Sequence, residues 1–157
     1  MKIVKTDPLS PIATELMAEL SEVLATITGS SGTNSFDVTD IKHPDALFAL
    51  AFDDTGRPIG CGALRPLEHG IGELKRMYAR SGTQGVGRAL LAFLEERARE
   101  LGYRQLWLET RKVNQRAVNF YQSRGYQVIN NYGRYQGRDD AICFAKDIRL
   151  SIKKQTP

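Results

Sequence analysis

The stretch that decides the fold of this chain is Gly72-Glu73-Leu74-Lys75-Arg76-Met77-Tyr78-Ala79-Arg80-Ser81-Gly82-Thr83-Gln84-Gly85-Val86-Gly87-Arg88-Ala89-Leu90-Leu91. It predicts a strand, a turn rich in glycine, and a helix whose leucines recur at helical spacing. Glycine permits a tight turn because it has no Cβ atom. The first N–H groups of a helix have no acceptor in the helix, and the helix dipole attracts anions to them. The stretch therefore predicts a phosphate-binding site.

Predicted elements continue on both sides of this stretch. Before it, the pattern predicts a strand from Lys2 to Lys5, a helix capped by Ser10 and running to Ile27, a loop over 28–45, and strands Ala46–Phe52, Pro58–Leu67 and Ile71–Ala79. After it, the pattern predicts a helix Gly87–Leu101 stopped by Gly102, a strand Gln105–Glu109, a helix Gln115–Arg124 capped by Asn114, and strands Tyr126–Asn130 and Ala141–Ile148 around a polar loop. The strand-helix-strand order in the middle predicts a right-handed parallel crossover.

Length and composition indicate one globular domain over residues 1–157, with 147–157 as a partly frayed tail. No apolar run approaches the ~20 residues that a membrane span needs, and the amino terminus lacks the apolar core of a secretory signal. We therefore expect a cytoplasmic protein without a membrane partner. Cys61 and Cys143 lie far apart without a CxxC spacing, so we expect two buried strand residues rather than a disulfide or a metal site.

Charge is distributed unevenly along the chain. Residues 1–60 carry four Lys or Arg against nine Asp or Glu, whereas residues 61–157 carry eighteen against nine. A basic half could bind nucleic acid, but the arginines are scattered and no nucleic-acid motif accompanies them. A small polyphosphate ligand explains the same asymmetry, and nucleic acid is the weaker alternative.

Two familiar phosphate-binding motifs fit the glycine turn poorly. A Walker A loop requires Gly-Lys-Ser/Thr, and here Arg88-Ala89 follows Gly87. A dinucleotide fingerprint would use Glu109 as the acid that binds ribose, but it breaks where Leu90 replaces the third glycine. The antiparallel strands before the turn also argue against a dinucleotide fold.

Three blocks of the sequence resemble the GNAT superfamily of N-acetyltransferases, which use acetyl-CoA. They are Glu73-Leu74-Lys75-Arg76-Met77-Tyr78, Gly85-Val86-Gly87-Arg88-Ala89-Leu90-Leu91, and Asn114-x-x-Ala117-x-x-x-Tyr121-x-x-x-Gly125-Tyr126. The resemblance covers roughly residues 46–148 and implies an α/β, GNAT-like acyl-CoA N-acyltransferase fold, with a mixed, mostly antiparallel sheet flanked by helices. It also implies acetyl transfer to a primary amine of a small molecule or peptide, by direct attack in a ternary complex and without a metal. A homodimer is left open.

The resemblance also assigns the residues that bind the cofactor. They are Met77, Tyr78, Ala79, Gln84, Gly85, Val86, Gly87, Arg88, Ala89, Asn114 and Ala117. The turn departs from the family pattern, since Gly82 stands where a basic or amide side chain is common and the loop is about two residues short. Arg80 or Arg88 is the candidate for the missing charge.

Tyr121 and Glu73 are the catalytic candidates. Tyr121 follows Asn114 by seven residues, two turns along one helix face, and the resemblance makes it the general acid for the departing thiolate. The alternative is a tyrosine that only packs in the core. Glu73, at the start of the central strand, is the candidate general base, and an ion pair on the surface with Lys75 or Arg65 is its alternative.

The amine acceptor is not specified by any motif. We expect its walls to come from 28–45 and 130–140, where Arg134 and Arg138 suit a carboxylate while Asp139 and Asp140 suit an amine. His69 lies in a turn and is at most an auxiliary base. The main alternative function is a regulatory domain of the same fold that binds CoA without catalysis.

Overall fold

A computed structural model describes residues 1–31 and 41–150. Its elements are β1 (Lys2–Lys5), α1 (Pro11–Thr28), β2 (Leu47–Phe52), β3 (Pro58–Glu68), β4 (Ile71–Ala79), α2 (Val86–Glu100), β5 (Gln105–Arg111), α3 (Gln115–Ser123), β6 (Gln127–Ile129) and β7 (Ala141–Asp147). The strands form one seven-stranded sheet in the order β1-β2-β3-β4-β5-β7-β6. Only β4 and β5 pair in parallel, so the predicted mixed, mostly antiparallel sheet is confirmed.

Helix ends follow the capping signals in the sequence. The Ser10 hydroxyl accepts a hydrogen bond from the Ala13 N–H at 3.3 Å, and Gly29 closes α1 with a left-handed φ of 79°. Helix α2 begins at Val86, one residue before the predicted start, because Gly85 takes the N-cap position. The differences at other ends are small, except that β5 extends past Glu109 to Arg111.

The sheet separates two hydrophobic clusters. On one face, α2 and α3 pack on leucines of the central strands, including Leu64, Leu74 and Leu106. On the other face, α1 packs on β2 and β3 through a second cluster that contains Phe48 and Cys61. Each helix therefore buries its apolar face, as its helical spacing requires.

Two glycines of β3 allow α2 to approach the sheet closely. A Cβ atom at Gly60 would lie 2.7 Å from both the Tyr78 carbonyl oxygen and Val86 Cγ1. A Cβ atom at Gly62 would lie 2.9 Å from Leu94 Cδ1 of α2 and 2.5 Å from the Met77 sulfur of β4. Hydrogen is the only substituent that fits here, so these glycines fix the distance between α2 and the strands beneath it.

Three predictions about loops need correction or lie outside the described residues. The polar loop after β6 contains a 3₁₀ turn, Gly133–Tyr135, whose Tyr135 is buried against Ala141 and Cys143. At the start of the segment predicted as a partly frayed tail, the Ile148 N–H donates to the Arg104 carbonyl and the Ile148 side chain is buried. Half of the predicted loop over 28–45, residues 32–40, and the end of the tail, residues 151–157, lie outside the described residues.

Both cysteines are buried strand residues with free thiols, as predicted, Cys61 in β3 and Cys143 in β7. Among the described residues, no helix has both the length and the apolar character to span a lipid bilayer. Within the same ranges, no three His, Cys, Asp or Glu side chains are grouped in a way that could hold a metal ion.

The close approach of α2 leads to a stability prediction. Gly60→Ala should lower the free energy of unfolding by ~1–3 kcal/mol, because the new methyl group meets a backbone carbonyl that cannot move aside. Gly87→Ala is the matched control, since its Cβ atom would meet only Phe120 ring carbons at 3.5 and 3.6 Å. Thermal unfolding of both variants checks this, and an unchanged melting temperature for Gly60→Ala would contradict the packing described.

Candidate active site

A groove opens where β4 and β5 stop pairing. Their parallel ladder consists of Ile71 with Gln105, Gly72 with Leu106 and Glu73 with Trp107, and it ends there. Beyond this point the two strands flank a groove that also reaches α1 and α3. The groove is lined by Leu20, Leu24, Thr28, Ser30, Leu74, Lys75, Arg76, Met77, Leu108, Glu109, Thr110, Arg111, Asn114, Ala117 and Tyr121.

A β-bulge in β4 lies directly on this groove. Cys61 of β3 faces Tyr78 while Ala63 faces Lys75, so β4 carries an extra residue between these pairs. Arg76 within the bulge has a φ of 55°, a left-handed conformation that costs a residue with a Cβ atom ~1–3 kcal/mol. A bulge bends its strand and increases its twist, which accounts for the departure of β4 from β5.

The side chain of Arg76 ties the bulge to α1. Its guanidinium donates to the Met17 carbonyl at 2.8 Å and to the Ser21 hydroxyl at 2.6 Å. The Cys61 thiol also donates to the Arg76 carbonyl at 3.3 Å. These contacts offset the backbone strain and hold the middle of α1 against the bulge.

The start of α2 has the features of an anion site. Its N-cap, Gly85, has a φ of 73° and no side-chain cap, and the first backbone bond runs from the Ala89 N–H to the Gly85 carbonyl. The N–H groups of Val86, Gly87 and Arg88 therefore find no acceptor among the described residues. The helix start adjoins α3, because a Cβ atom at Gly87 would touch the Phe120 ring.

Of the two arginines considered for this turn, the geometry favours Arg88. Arg80 donates to both carboxylate oxygens of Glu19, at 2.5 Å and 3.0 Å, and to the Pro58 carbonyl at 2.8 Å. Its guanidinium therefore ties the end of β4 to α1. Arg88 is exposed in the first turn of α2, and no ion pair joins it to another described residue.

Gly82, where the family pattern commonly has a longer side chain, is exposed with a φ of 81°.

Asn114 and Tyr121 face the same groove from α3. The Asn114 side-chain oxygen accepts the Ala117 N–H at 3.3 Å, which confirms the predicted N-cap. Tyr121 is 7% exposed, and its ring packs edge-on against Phe120 and Tyr126. Burial raises the pKa of Tyr121 above its ordinary value, so the hydroxyl keeps its proton. That hydroxyl makes no hydrogen bond within the described ranges, although its residue lines the groove.

The other predicted cofactor residues take different positions. Met77 and Ala117 line the groove, whereas the Tyr78 hydroxyl donates to Glu19 at 3.1 Å on the α1 side. Ala79 is the last residue of β4. Gln84 precedes the N-cap of α2, so the turn residues cluster at the helix start rather than at the centre of the groove.

Glu73 is buried beneath the groove and fully engaged. It is 2% exposed, and Arg65 donates to its Oε1 from Nε at 2.9 Å while Nη2 lies at 2.8 Å. The Tyr132 hydroxyl donates to Oε2 at 2.5 Å, and the Lys75 ammonium lies 4.0 Å from the same oxygen. The alternative prediction named the right partners for this ion pair but wrongly placed it on the surface. Glu73 does not contribute to the groove lining.

A second carboxylate, Glu109, does line the groove. Its side chain is 9% exposed and forms an ion pair with Arg111. Burial raises the pKa of Glu109 above its ordinary value, although Arg111 and Lys75 oppose this shift. In the sequence, Glu109 is a candidate only as the ribose-binding acid of the dinucleotide motif. Its position at the end of a short strand can be predicted from the sequence, but the groove between that strand and β4 cannot.

The predicted acceptor walls are only partly found at the groove. Thr28 and Ser30 line it. The 130–140 segment does not line it, but its Tyr135 hydroxyl accepts a hydrogen bond at 2.5 Å from Lys75, which does. Arg138 and Asp140 pair with each other at 3.1 Å on the exposed surface. Arg134 and Asp139 are exposed in the same segment, and His69 is exposed in the turn before β4.

Comparison with known proteins identifies the family. The sequence pattern of the acetyltransferase (GNAT) family matches residues 15–126, more than half of the chain. This chain belongs to the GNAT family. An "IAA acetyltransferase" from Azospirillum brasilense is 30% identical over 136 residues, which is 85% of this chain and 88% of that protein.

Two further relatives match different shares of the length of this GNAT chain. The "[Ribosomal protein bS18]-alanine N-acetyltransferase" of Escherichia coli K12 is 39% identical over 71 residues, 43% of this chain and 48% of that protein. A crystal structure from Klebsiella pneumoniae, titled as an acyl-CoA N-acyltransferase, superposes with a TM-score of 0.79 at 26% identity, covering 94% of this chain and 97% of the other. Family membership confirms the predicted fold and the predicted enzyme class, an acetyltransferase dependent on acetyl-CoA.

Proposed function

We propose that this GNAT protein transfers an acetyl group from acetyl-CoA to the primary amine of a small molecule or peptide, by direct attack within a ternary complex. The observation that carries the proposal is the groove at the end of the β4–β5 ladder. It brings a buried tyrosine hydroxyl and a buried carboxylate, Tyr121 and Glu109, to one cavity. The start of α2, with its N–H groups available, adjoins the helix that bears Tyr121.

The residues at the start of α2 suit the diphosphate of CoA. The N–H groups of residues 86–88 can donate to phosphate oxygens, and the helix dipole favours the negative charge. Gly87 leaves space beside Phe120, and Arg88 supplies a cation. From there the groove passes Asn114 and Ala117 on α3 and Met77 on β4. Gln84 to Ala89 would hold the diphosphate and the β4 residues the pantetheine arm.

The cosubstrate supplies an acyl group activated as a thioester, and the chain's own residues manage protons. Tyr121 is kept protonated by burial, so its hydroxyl can donate to the charge that develops on the departing sulfur. An amine must lose a proton to form the amide bond, and a carboxylate in the groove can accept it. Glu109 suits this role because it lines the groove and bonds Arg111 through one oxygen, whereas Glu73, the candidate from the sequence, lies outside the groove lining and accepts bonds from Arg65 and Tyr132 on its two oxygens.

Acetyl-CoA should raise the melting temperature by ~5–10 °C at one hundred times its dissociation constant, because it binds only the folded state. Gly87→Val should abolish this shift while the variant stays folded, since the added Cβ atom makes only ordinary contacts with Phe120. Differential scanning fluorimetry checks both statements. A retained shift in Gly87→Val would mean that the turn is not the phosphate site, and the absence of any shift in the wild type would remove the proposal.

Tyr121→Phe should lower kcat by ~10²-fold and leave the shift induced by acetyl-CoA unchanged. The ring and its packing remain, and only a donor used in the transition state is lost. An acyl donor with a more acidic thiol should depend less on the hydroxyl and recover much of the rate. A kcat within about twofold of the wild type would make Tyr121 a packing residue.

The two carboxylates can be separated by pH profiles of kcat/KM. If Glu109 accepts the proton, kcat/KM of the wild type falls as the pH falls through the raised pKa of Glu109, because the protonated carboxyl cannot act as a base. Glu109→Gln should then lose ~10²-fold at pH values between the pKa of Glu109 and that of the amine, and recover at high pH, where free amine is abundant.

Glu73→Gln should instead lower the melting temperature, because it leaves Arg65 without its carboxylate, and its loss of rate should not depend on pH. Recovery at high pH in Glu73→Gln and not in Glu109→Gln would return the base to Glu73. Glu68→Gln, an exposed change, is the control.

A further inference from the structure

Lys75 is a buried cation on the wall of the groove. Its side chain is 8% exposed, and the residue lines the same cavity as Glu109 and Tyr121. Its ammonium lies 2.5 Å from the Tyr135 hydroxyl and 5.2 Å from the centre of that ring. A buried ammonium is stable only with partners that compensate its lost hydration.

The carboxylates near Lys75 are each engaged by an arginine. Glu73 is bonded to Arg65, and Glu109 is paired with Arg111. The carboxylate oxygen within reach of Lys75, Oε2 of Glu73, is 4.0 Å away and accepts the Tyr132 hydroxyl at 2.5 Å. Within the described part of the chain, the carboxylate nearest to the Lys75 ammonium is therefore bonded more closely by Arg65 and Tyr132, and the short contact of the ammonium is to the Tyr135 hydroxyl.

We propose, on the basis of the transferase function above, that the acceptor carries a carboxylate as well as its amine and that Lys75 binds this carboxylate. An anionic group entering the groove gives Lys75 a charge-assisted hydrogen bond that the protein alone does not supply. Lys75 and Glu109 lie on neighbouring strands, β4 and β5, on either side of the groove. A short amino acid can place its amine toward Glu109 and its carboxylate toward Lys75.

The apolar part of such an acceptor also has a place. Leu20 and Leu24 of α1 line the groove, with Thr28 and Ser30 further along the same side. An apolar side chain can lie against the two leucines while the charged groups face the strands. The acceptor class is therefore an amino acid with an aliphatic or aromatic side chain, rather than a polyamine.

The test compares matched acceptors that differ only in the carboxylate: leucine with leucinamide, and phenylalanine with phenylalaninamide. The ratio of kcat/KM for acid over amide is measured in the wild type and in Lys75→Met, so that the different amine pKa values of the two acceptors cancel. Lys75→Met should lower that ratio by about 10–100-fold, mainly through KM of the acid. Lys2→Met, an exposed change on β1, should leave the ratio unchanged.

A purely structural role for Lys75 predicts that Tyr135→Phe and Lys75→Met change the acid-over-amide ratio equally. Tyr135→Phe removes the hydroxyl that contacts the ammonium but keeps the charge of Lys75. If Lys75 binds the carboxylate, the ratio in Tyr135→Phe should therefore stay within about threefold of the wild type. Lys75→Met should also keep the shift in melting temperature induced by acetyl-CoA. Equal effects of Tyr135→Phe and Lys75→Met on the ratio would overturn the assignment of carboxylate binding to Lys75.

A binding measurement separates this inference from the transferase function itself. With CoA present, calorimetry should show N-acetylleucine binding about 10–100-fold tighter than N-acetylleucinamide to the wild type and equally weakly to Lys75→Met. If no amine is acetylated, the transferase function fails, and this comparison still decides the carboxylate site. Equal affinities of the two compounds for the wild type would overturn the inference.

Discussion

The active-site architecture depends on the early end of one β-ladder. Parallel strands normally continue to exchange hydrogen bonds along their length, and β4 and β5 stop after three residue pairs. The backbone groups of β4 beyond Glu73 are then available on that side to a ligand rather than to a strand. If β4 and β5 paired along their full length, the sheet would be more regular, but it would have no groove at its centre.

The strain at Arg76 keeps the two strands apart. A left-handed residue with a long side chain is unfavourable by itself, so the conformation persists only because several contacts determine it together. Its guanidinium bonds α1 and its carbonyl accepts from Cys61. The opening is thus a property of three elements, β3, β4 and α1, and not of the bulged strand alone.

Two neighbouring carboxylates of this sheet, Glu73 and Glu109, differ in their surroundings although each is paired with an arginine. Glu73 uses both oxygens for internal bonds, which suits a residue that holds Arg65, Tyr132 and the segment after β6 in place. Glu109 lies in the groove itself, where burial disfavours its charged form. The same residue type is therefore enclosed by protein partners at one position and lines a groove at the other.

Much of the fold was predictable because its signals are local. Ser10 and Asn114 cap the starts of helices and Gly29 caps the end of one, all through contacts within a few residues. The spacing of the leucines in α2 likewise indicates one buried face. The groove was harder to predict, because it depends on which strands pair and where the pairing stops. Alternation along residues 73–77 could not show which side chains share a face, since the bulge at Arg76 changes the alternation.

The buried Tyr135 shows the same limit in a loop. A segment of polar and glycine residues predicts an exposed connection, yet its tyrosine packs under the sheet and contacts Lys75, sixty residues earlier in the chain. Only the spatial neighbours of that segment explain the burial. Glu109 was difficult to identify for a related reason. It shares the groove with residues of β4, a strand more than thirty residues earlier in the chain at Lys75.

The contact between Arg76 and α1 affects how freely this protein's sequence can change. One of the two α1 groups that Arg76 bonds is the main-chain carbonyl of Met17, which any residue at that position would supply. Only the Ser21 hydroxyl depends on a particular side chain. Leu20 and Leu24, on the same helix, form part of the groove wall and make no bond to the bulge. Substitution at these two positions can therefore reshape the groove wall, during evolution or in the laboratory, without breaking the bonds that hold the bulged strand.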